Sequence, residues 1–247
     1  MNLTTAKACL RLSKLVYGTA SIDERSTDTQ VVFGGLANDP SVLIVAFRGT
    51  RGIRDVLTDA KFLFKARWSG DSKGDPRVHR GCLEAVRSVA ERIRNRALDF
   101  AKVIIAGHSL GGGLAAPTAL WLHERGIFVS EVHTFGSLRP GNGDFSALYN
   151  SNLHDVTFRW EAEGDLIPWS PPWALGYRHV GREMRLNNDG TLQADPPLWA
   201  LTGPAVKAVV GDVKQWAMTH CVETSRIGSL FYPHYISNYE KLLGGLS

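Results

Sequence analysis

Thiols are scarce in this chain: Cys9, Cys82 and Cys221 are the only ones in 247 residues, and no two form a CxxC pair. An odd number at such wide spacing argues against a disulfide framework and against a zinc site. Long apolar runs are missing too. The amino-terminal stretch MNLTTAKACLRLSKLVYG carries Arg11 and Lys14 inside its apolar part, which interrupts the core that a signal peptide needs. No segment reaches the ~20 consecutive apolar residues of a membrane-spanning helix. The expected setting is therefore the cytoplasm, with export by another route left open. Charge of one sign is not concentrated either. Lys and Arg outnumber Asp and Glu by 28 to 24, for a net charge of +4 and a pI near 9.0. The excess is spread along the chain without dense basic runs, which argues against a nucleic-acid partner. Peripheral contact with an anionic lipid surface remains compatible with it, and nothing sets an oligomeric state.

What is present is the composition of a packed domain. Hydrophobic residues make up 44% and charged residues 21%, enough apolar side chain for a sizeable core. Apolar β-branched runs at 29–37, 41–49, 102–109, 130–137, 155–161 and 177–186 alternate with helical patterns. That alternation predicts an α/β fold, a mostly parallel sheet with helices on both faces. Residues 82–100 place Leu83, Val86, Val89, Ala90 and Ile93 on one helical face. Residues 110–126 read as a second helix closed by Gly126, with a kink expected at Pro117 unless the first turns are irregular. There is no internal repeat, so a single domain over 1–247 is expected. One departure from the alternation, at 187–229, precedes the carboxyl-terminal helix. It contains an apolar helical face formed by Val206, Val209, Val210, Val213, Trp216 and Ala217. A packed helix and a cap over a site both fit that pattern.

The stretch KVIIAGHSLGGG, residues 102–113, carries the chemistry. An apolar strand that breaks into Gly-x-Ser-x-Gly and then a helix describes a turn so tight that the residues two before and two after the serine have no room for a side chain. Gly107 and Gly111 hold those positions. The turn lifts Ser109 above the carboxyl end of the sheet, where the N–H groups of the following helix converge. Ser109 is the candidate nucleophile, and the amide of Leu110 a candidate oxyanion donor.

A serine hydroxyl needs a histidine to take its proton and an acid to orient that histidine. In this chain order only residues after 109 are eligible. Asp165, between Gly164 and Pro168 in a loop beyond a strand, is the candidate acid, while Asp144 and Asp155 read as turn residues. Among the later histidines, His133 and His179 fall inside predicted strands and His154 precedes the acid. His234, just before the last helix, is the candidate base, with His220 as runner-up. His108, beside the nucleophile, reads as a structural residue packed under the turn. The early strand ending in LIVAFRGTRG offers the N–H of Thr50 as a second oxyanion donor.

Taken in order, VAFRGT, DVLTDAKF, VHRGCLEAV, GHSLGG, VHTFGSLRPGN, GDLIPWSPP, GYRHVGREM and the histidine before YISNY match one pattern. In them the chain resembles the class 3 lipases, the α/β hydrolases that include the fungal triacylglycerol lipases. The resemblance implies an α/β-hydrolase fold, Ser109 as nucleophile, Asp165 as acid, His234 as base, Thr50 with Leu110 as oxyanion donors, and no metal or organic cofactor. It also implies a lid at about 51–65, where Ile53, Val56, Leu57, Ala60 and Phe64 form one apolar face. Ile53, Leu57, Trp169 and Trp173 are the candidate walls for an acyl chain, although tryptophans near a site also serve as core. The sequence departs from the family at Leu138, where proline is usual, and in the length of 187–229. The implied activity is hydrolysis of lipid esters through an acyl-enzyme. Phospholipase A1-like activity, short-chain esterase activity, acyl transfer and a non-catalytic scaffold stand as alternatives.

Overall fold

The computed structural model describes residues 2–15, 31–48, 64–68, 74–197 and 234–246. Their backbone is organised around a seven-stranded sheet in the order β1 (Val31–Leu36), β2 (Asp39–Phe47), β5 (Lys102–His108), β6 (Val129–Phe135), β8 (Thr157–Ala162), β10 (Arg182–Leu186), β11 (Leu192–Ala194). The five central strands run parallel, and β1 and β11 close the two edges antiparallel. A smaller antiparallel sheet is formed by β3 (Lys65–Arg67), β4 (Arg77–His79), β7 (Gly141–Asn142) and β9 (Tyr177–Arg178).

Side chains alternate across the pleat, and each face of the large sheet builds its own core. Leu43, Val45, Phe47, Val103 and Ile105 face α2 (Arg80–Ala97), α3 (Leu110–His123) and α4 (Gly143–Leu153). Val42, Ile44, Ala46, Ile104, Ala106 and Trp160 face α1 (Leu3–Leu15) and α5 (Ile236–Gly244). The face expected on α2 is the one it buries, with Leu83, Val86, Val89, Ala90 and Ile93 all inside. Each of the Leu, Val and Ile side chains among them stabilises the fold by roughly 1.5–3 kcal/mol, Ala90 by less. The side chain of His79 caps α2 by accepting from the Cys82 N–H at 3.2 Å.

Several expectations are corrected. The run at 177–186 is not one strand: it divides into β9, which joins the small sheet, and β10, which joins the large one. Gly181, at φ +71°, makes the break, and His179 lies between the two strands rather than in one. The departure beginning at 187 starts with sheet, since β11 pairs back onto β10 through a turn at 187–191; the remainder from 198 to 229 lies outside the described residues. At the end of the expected lid, Phe64 and Lys65 lead into and begin β3 rather than finishing a helix, and 51–63 lie outside the described residues. Helix α3 runs through Pro117 without interruption and is closed by Gly126 at φ +77°. Leu138, the departure from the family's proline, is buried against α3, where it stands in the way of any side chain on Gly113.

Candidate active site

Strand β5 ends at His108 and α3 begins at Leu110, so Ser109 alone makes the turn between them. It does so at φ +61°, ψ −126°, a conformation that costs a non-glycine residue of order 1–3 kcal/mol. The neighbouring glycines are required by contact. A Cβ on Gly107 would stand 2.2 Å from the Gly111 carbonyl oxygen, and one on Gly111 would stand 2.4 Å from the Phe47 carbonyl oxygen. The second contact also places the carboxyl end of β2 directly against the turn. Ser109 is the N-cap of α3, yet its hydroxyl makes no capping bond. Its Oγ is buried and has no hydrogen-bond partner among the described residues.

The candidate acid and base meet. His234 Nδ1 lies 2.9 Å from Asp165 Oδ2 and 3.1 Å from Oδ1, with both residues buried. A carboxylate only accepts, so Nδ1 carries the proton and Nε2 is left as the basic nitrogen. Nε2 is also buried and without a partner among the described residues. Burial by itself would raise the pKa of Asp165. The opposing effects of the His234 charge and hydrogen bonds from His234, Tyr239 and the Ile167 N–H outweigh burial and hold the carboxyl below its ordinary range.

Two residues that complete this arrangement were not foreseen. Tyr239, on α5, donates from its hydroxyl to Asp165 Oδ2 at 2.7 Å and accepts from the Ala162 N–H at 3.0 Å. Gly136, just past β6 at φ +54°, leaves the space in which the cluster sits: a Cβ there would lie 2.6 Å from Asp165 Oδ2, 2.9 Å from His234 Nδ1 and 3.0 Å from the Tyr239 hydroxyl. Gly136 stood in the sequence as a glycine at a strand's carboxyl end. Tyr239 carried no local signal at all.

The family model for lipase (class 3) matches residues 44–175, more than half of the chain. The chain belongs to the class 3 lipase family. A secreted mono- and diacylglycerol lipase of Fusarium solani is 33% identical over 159 residues, 62% of this chain and 46% of that protein. A lipase of Rhizomucor miehei is 28% identical over 180 residues, 69% of this chain and again 46% of its own length. This class 3 lipase chain thus spans about half the length of the curated relatives it matches. A solved structure of a triacylglycerol lipase, whose catalytic centre is described as a serine protease triad, superposes with a TM-score of 0.62. It is 25% identical, over 78% of this chain and 83% of that one. The α/β-hydrolase fold is therefore that of this class 3 lipase.

The other site candidates of this family member are distributed as follows. Thr50, Ile53, Leu57 and His220 lie outside the described residues. Leu110 opens α3, where the first N–H groups have no acceptor within the helix. Trp169 and Trp173 sit on the loop that follows Asp165 and are 40% and 64% exposed, so neither is core. The Arg178 guanidinium covers the Trp173 ring at 4.2 Å. His133 is a satisfied core residue, 2.7 Å from Glu131 and accepting from Trp160 Nε1 at 3.1 Å. His154 is a surface residue paired with Asp155. Asp144 lies in the first turn of α4, a helix rather than the loop expected, and accepts from the Asp75 N–H. Among the described residues no group of three His, Cys, Asp or Glu side chains is arranged to hold a metal ion, and no helix is long and apolar enough to cross a membrane.

Proposed function

We propose that this chain hydrolyses carboxylic esters of lipids through an acyl-enzyme formed on Ser109. One observation carries the reading: a buried Asp165–His234 pair presents its basic Nε2 at the same end of the sheet as a strained, uncapped serine. Each element of that geometry has a cost in folding and a use in acyl transfer.

In the proposed reaction the Ser109 Oγ attacks the ester carbonyl carbon while His234 Nε2 takes the hydroxyl proton. Asp165 orients the imidazole and balances the charge it acquires. The carbonyl oxygen becomes an oxyanion held by the N–H groups of Leu110 and Thr50, and collapse expels the alcohol, which receives the proton from His234. Water then repeats the sequence on the acyl-enzyme. The contact between the Gly111 position and Phe47 supports Thr50 in this role, because Thr50 follows Phe47 by three residues.

Lipid esters are the substrate class that the relatives' names support, and Trp169 and Trp173 supply apolar surface on the acid loop. Peripheral contact with a lipid surface suits that exposure. Export is the better reading of location than the cytoplasmic default, supported by the Fusarium relative's description as secreted. A single domain is supported by the shared sheet beneath both cores.

The test uses a fluorophosphonate, which reports an activated serine without assuming a substrate. An adduct located by mass spectrometry on Ser109, absent from His234→Ala, is the expected result. Well-folded protein that acquires no adduct, with or without detergent micelles, would sink the reading. Rates on p-nitrophenyl esters of increasing chain length then separate lipase from short-chain esterase.

A further inference from the structure

His108 lies between Gly107 and Ser109 and is buried beside the candidate base. Its ring stacks on that of His234, with centroids 4.7 Å apart and planes 28° apart. Its Nε2 stands 2.8 Å from the main-chain oxygen of His234. A carbonyl only accepts, so this nitrogen carries the proton and donates. Tyr239, which holds Asp165, meets the His108 ring edge-on, with centroids 6.0 Å apart.

Asp165 fixes His234 at one ring nitrogen. That bond sets the tautomer and the ring's direction, but it leaves the backbone of residue 234 to be held by something else. Among the described residues, a side-chain donor to that carbonyl is His108, the residue adjacent to Ser109. We propose that His108 is a positioning residue, which clasps the ring and carbonyl of His234 and so sets the distance between nucleophile and base. The proposal rests on the reading of Ser109 and His234 as the reacting pair.

The chemistry at this position calls for three properties together. A flat ring is needed to stack, a donor at its far end to reach the carbonyl, and neutrality beside an imidazole that becomes a cation in each half-reaction. Burial, and next the charge of His234, push the His108 pKa down to about 3, so the ring stays neutral across the range in which the base operates. Phenylalanine would keep the ring without the donor. Glutamine would keep a donor without the ring. Lysine or arginine would set a positive charge against the imidazolium.

The experiment compares the wild-type chain with His108→Phe and His108→Gln, using a p-nitrophenyl ester and a fluorophosphonate across pH, with melting temperature recorded for each. The clasp predicts a folded H108F whose KM stays within about twofold while kcat and the labelling rate fall about 10- to 100-fold, the cost of a misplaced base. It further predicts that the acid limb of the kcat/KM profile moves, and that H108Q recovers part of the lost kcat. Packing alone predicts the reverse ranking, with the near-isosteric H108F fully active and H108Q impaired; that outcome overturns the inference. Should H108F fail to fold, His108→Asn decides, because its amide is too short to reach the carbonyl. A folded H108N with wild-type kcat and pH profile overturns the clasp, and one with reduced kcat at unchanged KM bears it out. If the wild-type chain acquires no adduct on Ser109, the parent reading falls and this one with it. A labelled wild type alongside an unaffected H108F removes the clasp alone.

Discussion

A methyl group on Gly136 would stand 2.6 Å from Asp165 Oδ2 and 2.9 Å from His234 Nδ1, at a backbone φ of +54° that L side chains rarely adopt. Gly136→Ala is therefore expected to push the acid and base apart and lower kcat by about 100-fold or more, with circular dichroism still reporting the fold. Normal kcat in that variant would mean that the cluster tolerates the displacement and that the tight geometry is not needed. Ser109→Ala should remove turnover and leave the strained turn as it is, since alanine keeps the Cβ, but it deletes a buried hydroxyl with no hydrogen-bond partner among the described residues, so its melting temperature should equal or exceed that of the wild type; retained activity would contradict the assigned nucleophile. Tyr239→Phe deletes one donor to the Asp165 carboxylate and one acceptor for the Ala162 N–H. A hydrogen bond to a charged group contributes about 1.5–3 kcal/mol, so roughly tenfold or more in kcat is expected to go, together with some stability. A Tyr239→Phe variant that matches wild type in both would show that the remaining partners of Asp165 suffice.

Legibility in the sequence followed the distance over which each element is determined. The turn at Ser109 is set by five consecutive residues whose glycines are demanded by close contacts, Gly107 with the Gly111 carbonyl inside the turn and Gly111 with the Phe47 carbonyl of β2, and their spacing could be read directly. The α2 face and four of the five parallel strands rest on local pattern and were legible for the same reason, whereas β10 was merged with β9 into one run. Gly181 and the Asn-Asn-Asp-Gly sequence at 187–190 did carry signals of a strand break and a hairpin, but the apolar run around the first masked them. Helix α4 had its own marker, with Asn142 accepting from the Phe145 N–H at 3.0 Å. Tyr239 had none, because its meeting with Asp165 depends on how α5 packs across the sheet. The acid loop shows the same limit. Its carbonyls have no strand to pair with and are taken by distant side chains: Pro168 by His179 at 2.7 Å, Trp169 and Pro171 by Arg139, Trp173 by Arg178 and Leu175 by Lys65. Arg139→Ala removes two of those hydrogen bonds at once. Faster amide exchange across 166–176 is expected, with a several-fold loss of kcat through Asp165 and no change of exchange in β5. Unaltered exchange in the loop would show that the carbonyl contacts do not hold it.

At the scale of the whole molecule, three histidines among the described residues are folded into surroundings that disfavour their charged form. Burial is the leading cause for each of His108, His133 and His179, and each has its pKa lowered from the ordinary 6.5. For His108 the next contribution is the nearby His234. For His133 the Glu131 carboxylate opposes the shift without cancelling it, and for His179 the guanidinium groups of Arg159 and Arg139 reinforce it. The unfolded chain, free of these surroundings, binds a proton at each as pH falls through 6.5, whereas the folded chain does not. Stability therefore rises with pH in that range and is lost on acidification, by up to about 1.4 kcal/mol per pH unit for each histidine fully protonated only when unfolded. Asp165, whose folded pKa lies below its ordinary value, adds to the loss in the same direction at still lower pH. Urea midpoints measured from pH 7.5 down to 5 should fall steeply, and a flat series would remove the argument. The same measurement separates two causes of inactivation in acid. Loss of activity that tracks the urea midpoints and recovers only at the rate of refolding comes from unfolding, whereas loss in a chain that is still folded, recovering on the instant of neutralisation, comes from the site itself.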